Sequence, residues 1–268
     1  MKRFPFFSWL IILLGILYFF VPLVGTLDWS LHIESRNSYS LNAFVNVLTS
    51  ERFQRTFSFS LVTALATIVV SLLLVAPTAY WVHLKLPRLR PIVEFITLLP
   101  FVVPAIVLVY GMVRVYSRPP LSLMETELGT NFLVVMGYTA LSLPYMFRAV
   151  DTGLRAIDVG TLTEAAQNLG ANWFTIIFRV IFPNLRVALL SGAFLSFAIV
   201  MGEFTISNFI LPGILSFGPY MVNLNQTRTY EAAAVAIISF GLTWLSIGMI
   251  QLLGRGAPGQ SQQIGGTR

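Results

Sequence analysis

Glu164-Ala165-Ala166-Gln167-Asn168-Leu169-Gly170, continuing to Val180-Ile181-Phe182-Pro183, is a polar, helix-forming island between two long apolar runs. Thr161-Leu162-Thr163-Glu164 has the spacing of a capping box, with a hydroxyl at the N-cap and a carboxylate three residues on. Ala165 and Ala166 favour helix, and Gly170 suits a left-handed stop. Asn172 is positioned to cap a second short helix running from Trp173 to about Val180, which Pro183 and Asn184 then break. The expectation is two short helices hinged at Gly170, presenting Leu162, Leu169, Trp173, Phe174 and Ile177 as apolar contacts. Links between helices usually take about 2–8 residues, yet the segment 148–186 has roughly forty. A soluble partner docking on this island accounts for the excess.

The flanking composition says where the island sits. Of 268 residues, 56% are hydrophobic and only 10% charged, with a mean hydropathy of +0.78. A soluble domain carries about 25% charged residues, so most of this surface faces something other than water. Uncharged runs at 4–27, 56–82, 95–113, 128–147, 187–202 and 232–254 approach or exceed the ~18–20 residues that cross a bilayer as helix. An all-α integral membrane fold follows, with six transmembrane helices at about 5–27, 56–81, 93–116, 129–147, 187–211 and 232–253. One membrane domain over 1–268 is expected, with the two-helix loop at 148–186. The first run is too long for a signal-peptide core and no small-residue cleavage site follows, so it is expected to be a retained span.

Charge distribution sets the expected orientation. With the N-terminus in the cytoplasm, inner segments hold eleven Lys and Arg residues and outer segments six, a net +8 inside and zero outside. That matches the positive-inside tendency, so both termini and the island are expected in the cytoplasm. The overall +6 and the isoelectric point near 9.9 then read as topology, and no nucleic-acid partner is expected. The chain has no cysteine, which excludes disulfides, thiolate metal sites and thiol nucleophiles. His32 and His83 fall on opposite sides, so no shared metal site is expected. A short interfacial helix is expected near Leu41–Leu48, a kink at Pro100 and Pro104, and a disordered tail from Gly254.

Glu164-Ala165-Ala166, Gly170 and Val180-Ile181-Phe182-Pro183 resemble the signature loop of the membrane subunits of bacterial ATP-binding-cassette (ABC) importers. Val180 and Phe182 replace the usual Ile and Leu before the proline. Leu143-Pro144-Tyr145, Ala156-Ile157-Asp158, Leu99-Pro100 and Val103-Pro104 extend the resemblance over roughly residues 56–253. It implies that the loop is a coupling helix seated on a separate ATPase, with Thr161, Glu164, Ala165, Ala166, Gly170, Trp173 and Pro183 as coupling residues. It also implies an ATPase dimer that holds ATP and Mg, a second permease subunit, an extracytoplasmic solute-binding protein and a bacterial inner-membrane location. No cofactor is expected on this chain. A phosphate-binding loop needs a Gly-Lys pair, and neither Lys2 nor Lys85 follows a glycine.

Glu203 is expected at depth in the fifth span, where a charge costs roughly 2.5–3.5 kcal/mol and so faces a cavity or a partner. Two readings stand: a carboxylate or gate on the translocation path, or a pair with Arg114 or Arg228 that fixes a helix. Asn208, with Asn223 and Asn225, either lines an outer vestibule or serves turns. Glu94 is expected to pair with Arg88 or Arg90. The resemblance runs closest to permeases for spermidine and putrescine, with iron, thiamine, phosphonate and anion permeases sharing the layout. A secondary transporter would carry several embedded ionisable groups and a repeat, and an intramembrane enzyme would need a catalytic constellation. This chain offers neither.

Overall fold

The computed structural model describes residues 6–33 and 38–254. The chain divides into two compact units, residues 1–56 with 220–244, and residues 57–219 with 245–268.

In the first unit, helix α1 (Phe6–Leu31) leads to a two-residue hairpin, β1 (His32–Ile33) paired antiparallel with β2 (Ser38–Tyr39). Along α1 the apolar side chains are largely exposed, and Ser30 is buried near its C-terminal end. The expected interfacial helix is α2 (Asn42–Thr49), with Val47 buried and Leu41, Val45 and Leu48 exposed. Residues 229–244 of α12 (Thr229–Gly254) belong here too, and Trp29 stacks on Tyr230 at 4.9 Å. The expected tail beyond Gly254 lies outside the described residues.

The second unit holds most of α3 (Glu51–Leu84), then α4 (Arg90–Val102), α5 (Ala105–Tyr116), α6 (Glu127–Ala156) and the short α7 (Val159–Asn168). A single turn, α8 (Trp173–Thr175), passes through a π-helical turn (Ile176–Ile181) into α9 (Phe182–Gly202). Helix α10 (Thr205–Ile210) and the start of α11 (Phe217–Thr227) follow. Helices α6 and α9 pack most closely, because Gly153 faces Ala188 and Gly192 faces Met146. Small residues let apolar helices approach where no hydrophobic force separates them from lipid. One core gathers Val75, Tyr80, Met146, Val150, Leu154, Ile176 and Leu185; another gathers Val109, Leu133, Tyr138, Val200 and Ile206.

The described helices make an all-α membrane fold. Four runs are long and apolar enough to cross: α1, α3, α6 and Trp173–Gly202. The α4–α5 pair makes a fifth if it is counted as one broken span, and α12 supplies an apolar stretch at the sixth expected place. Two expectations need correction. The kink at Pro100 and Pro104 is a 98° bend between α4 and α5. It falls at Val103–Pro104, where the residue before proline is driven to extended backbone (φ −88°, ψ 115°). The fifth span does not run unbroken over 187–211, since its helix begins upstream at Trp173 and ends at Gly202. Within the expected loop 148–186, α6 continues to Ala156 and helix resumes at Trp173.

The start of α11 presses directly on the α9–α10 break, so a Cβ on Gly218 would collide with the Glu203 carbonyl. Gly218→Ala is expected to cost about 1–3 kcal/mol by overpacking, read as a lower melting temperature of the purified protein in detergent. Gly202→Ala, whose Cβ meets nothing within 4 Å, serves as the control and should leave the melting temperature unmoved.

Candidate functional site

The island begins one turn earlier than its sequence suggests. Asp158, not Thr161, is the N-cap of α7: its Oδ1 accepts from the Thr161 N–H at 3.1 Å, and the Thr161 hydroxyl donates to Oδ2 at 2.6 Å. Thr161 is the third helical residue, and the expected Thr161–Glu164 capping box does not form. Two side chains competed for one cap, and the acid at the extended junction after α6 takes both donors. The Thr161 hydroxyl, and then its N–H, hold the Asp158 carboxyl below the usual carboxylate range. The cap is therefore intact above the ordinary carboxylate pKa and is lost as pH falls through the lowered value.

The hinge forms where expected. Gly170 has φ +78°, and its N–H donates to Gln167 O (2.9 Å) while Ala171 N–H donates to Ala166 O (3.0 Å). This pair of bonds is a Schellman stop, which requires a left-handed residue at that point. Asn172 then caps the next turn, its Oδ1 accepting from Thr175 N–H at 2.8 Å. Pro183 does not break the second helix. It sits in the first turn of α9, where a missing N–H is tolerated. The π-turn widens the register ahead of it, and the Asn184 side chain donates to the Val180 carbonyl at 2.7 Å.

The two short helices have a clear inside and outside. Leu162, Thr163, Ala166, Ile176 and Ile177 turn inward, with the Tyr80 hydroxyl and Thr163 Oγ1 3.0 Å apart in the interior. Ala166 is thus buried, while Thr161, Glu164, Ala165, Gly170 and Pro183 are exposed. Leu169 is 88% and Phe174 70% exposed, and Trp173 and Phe178 are exposed as well, so the island carries an apolar surface. Phe178, which the sequence reading did not name, lies four residues after Phe174, the ordinary same-face spacing of a helix, and their ring centroids are 4.5 Å apart. Behind the island, Arg90 bridges Glu94 (2.8 Å) and Asp151 (2.9 Å), and Arg155 bridges Asp151 (2.8 Å), tying α4 to α6. The expected Glu94 pair is with Arg90 and widens into this network.

Glu203 is buried at the α9–α10 break. Its carboxylate accepts from the Ile206 N–H at 2.9 and 3.0 Å and from the Ser207 N–H at 3.3 Å. It makes no ion pair among the described residues, and Arg228 is engaged by Glu231 at 3.4 Å. The expected pairing with Arg114 or Arg228 is therefore replaced by a backbone cap. Asn208 is exposed on α10. No group of three or more His, Cys, Asp or Glu side chains suited to a metal occurs among the described residues.

The sequence profile described as "Binding-protein-dependent transport system inner membrane component" matches residues 87–257. The chain belongs to that family. A spermidine/putrescine transport system permease protein, PotB, of Haemophilus influenzae is 29% identical to it over 225 residues, 76% of this chain and 74% of that one. A probable sulfate transport system permease of Prototheca wickerhamii is 30% identical over 163 residues, 57% of this chain and 64% of that one. The crystal structure of a bacterial ABC transporter involved in import of the acidic polysaccharide alginate superposes with a TM-score of 0.61 at 18% identity. It covers 93% of this chain and 95% of that one. This permease is a non-catalytic, multi-pass inner-membrane subunit of an ABC importer, a family that works with ATPase and binding-protein partners.

Removing the Glu203 cap strands two buried N–H groups of the permease. Glu203→Ala is expected to lower stability by about 1–3 kcal/mol, measured by thermal unfolding in detergent. Glu203→Gln keeps one carbonyl acceptor and should lose clearly less. Equal losses for the two would mean that the negative charge, not the cap, matters.

Proposed function

We propose that residues 157–181 form the coupling element of this permease, seated on the dimeric ATPase that binds ATP and Mg. The observation that carries the reading is the Gly170 hinge between two independently capped helices, with Leu169, Trp173 and Phe174 exposed beside Glu164. An apolar ridge flanked by polar side chains fits a protein groove better than water. ATPase closure would push on this element, and α6 and α9, joined to it covalently, would carry the movement into the membrane. In this reading both termini and the element lie in the bacterial cytoplasm, as the Lys and Arg distribution suggests. A second, different permease subunit completes the path. Glu203 and Asn208 act at a gate: Glu203 holds the α9–α10 corner rigid and Asn208 faces outward from it.

The cargo proposed is a small organic cation of the spermidine/putrescine type. It is supported by 29% identity to a spermidine/putrescine permease across three-quarters of both chains. One observation favours a second reading, an anion. The oxygens of Glu203 are committed to the backbone, while Arg148 lines a cleft of about 800 Å³ with Tyr145, Thr152, Asn184 and Ser191.

Glu164→Ala combined with Gly170→Ala is expected to abolish co-purification of the cognate ATPase and to cut uptake by more than tenfold. Uptake that persists without bound ATPase would overturn the coupling reading. Thermal shift of the partner binding protein with spermidine, putrescine, sulfate and molybdate separates the two cargo readings.

A further inference from the structure

Helix α3 has no covalent link to the island, yet its last two turns grip both of the island's helices. Toward α7, the Tyr80 hydroxyl meets Thr163 Oγ1 at 3.0 Å in the interior. Toward α8, Lys85 Nζ lies 4.9 Å from the ring centroid of Trp81 and 4.9 Å from that of Trp173. The two indoles are 5.6 Å apart with planes inclined by 30°. A cation within about 6 Å of a tryptophan ring is attracted to its face, and here one ammonium serves two rings from different elements. Helical spacing lines up the α3 side of the contact, since Trp81 and Lys85 are one turn apart.

We infer that Tyr80, Trp81 and Lys85 form a clasp that makes α3 move with the island, so that force arriving on the loop reaches a third helix. The inference rests on the coupling reading above and adds a route that the chain's connectivity does not supply. The two halves of the clasp differ in kind. The buried Tyr80–Thr163 bond fixes where α7 sits. The Lys85 contact is exposed and non-directional, so it holds Trp173 while allowing the rings to slide. Without it, α6 and α9 would still be driven through the backbone, whereas α3 would follow the island through the Tyr80 bond and the shared apolar core, with no hold on Trp173. Lys85 is in this sense a positioning residue for the transport cycle, and its charge is used for more than topology.

The test uses the whole importer, with permeases, ATPase and binding protein, reconstituted in proteoliposomes. ATP hydrolysis and uptake are measured on the same vesicles, and ATPase co-purification is scored in parallel. Lys85→Met and Trp81→Leu are expected to keep the ATPase bound and hydrolysing within about twofold. Uptake per ATP hydrolysed should fall by roughly twofold to fivefold, the factor that corresponds to one exposed cation–π contact. Lys85→Arg retains the cation and should restore the ratio. Tyr80→Phe, which keeps the ring but removes the hydroxyl, should lower the ratio as well. An unchanged ratio in Lys85→Met overturns the clasp, and so does loss of the ATPase from that variant, because Lys85 would then belong to the docking surface. Failure of the coupling reading shows separately, as an ATPase that stays bound to the Glu164/Gly170 double variant.

Discussion

Within hydrocarbon, a backbone N–H or C=O left without a partner costs several kcal/mol, and this permease is organised around that constraint. Its helices are not continuous rods. Between α4 and α5 the chain turns through 98° at Val103–Pro104, where proline has no N–H to leave unpaired. Between α9 and α10 a real gap opens, and the Glu203 carboxylate closes it by accepting from Ile206 and Ser207. A charge that would be costly alone is here solvated by the backbone it satisfies. Gly218 then admits α11 onto the same corner. Each irregularity brings its own partner, and that is what allows broken helices in such a place.

The island obeys the same rule. Asp158 and Asn172 start its two helices, and Gly170 stops the first, so each helix end is supplied locally. An element closed in this way can move as a body. It is joined to the rest by an apolar core that includes Val159, Ala166 and Ile176, by the Tyr80 hydroxyl on Thr163, and by the Lys85 cation between two indoles. The π-turn leading into α9 widens the register ahead of Pro183. That turn makes the passage from loop to membrane helix continuous, and a continuous helix transmits displacement better than a flexible joint.

Much of this was legible in the sequence, for reasons that differ by residue. Gly170 and Asn172 were read correctly because a stop and a cap are chosen by the residues immediately around them. Thr161 was misread because Asp158, three residues earlier, is an equally good cap by type, and only the backbone at the end of α6 selects between them. Pro183 was misread as a breaker because a π-turn has no local signature that distinguishes it from an ordinary helix end. Glu203 was correctly singled out as a charge that needed a partner. Its partner was missed because the sequence shows side chains, and the atoms that answer it are main-chain N–H groups three and four residues on.

Composition, the spacing of uncharged runs and the local capping residues determined by themselves that this is an all-helical membrane subunit with a hinged island. Those features follow from solvent preference and short-range hydrogen bonding, which depend on neighbours along the chain. Only the tertiary structure decided that Tyr80 meets Thr163, that Lys85 lies between Trp81 and Trp173, and that Gly218 admits α11 onto the Glu203 corner. Such contacts join residues far apart in the chain, and their energies come from packing geometry that no stretch of sequence carries alone.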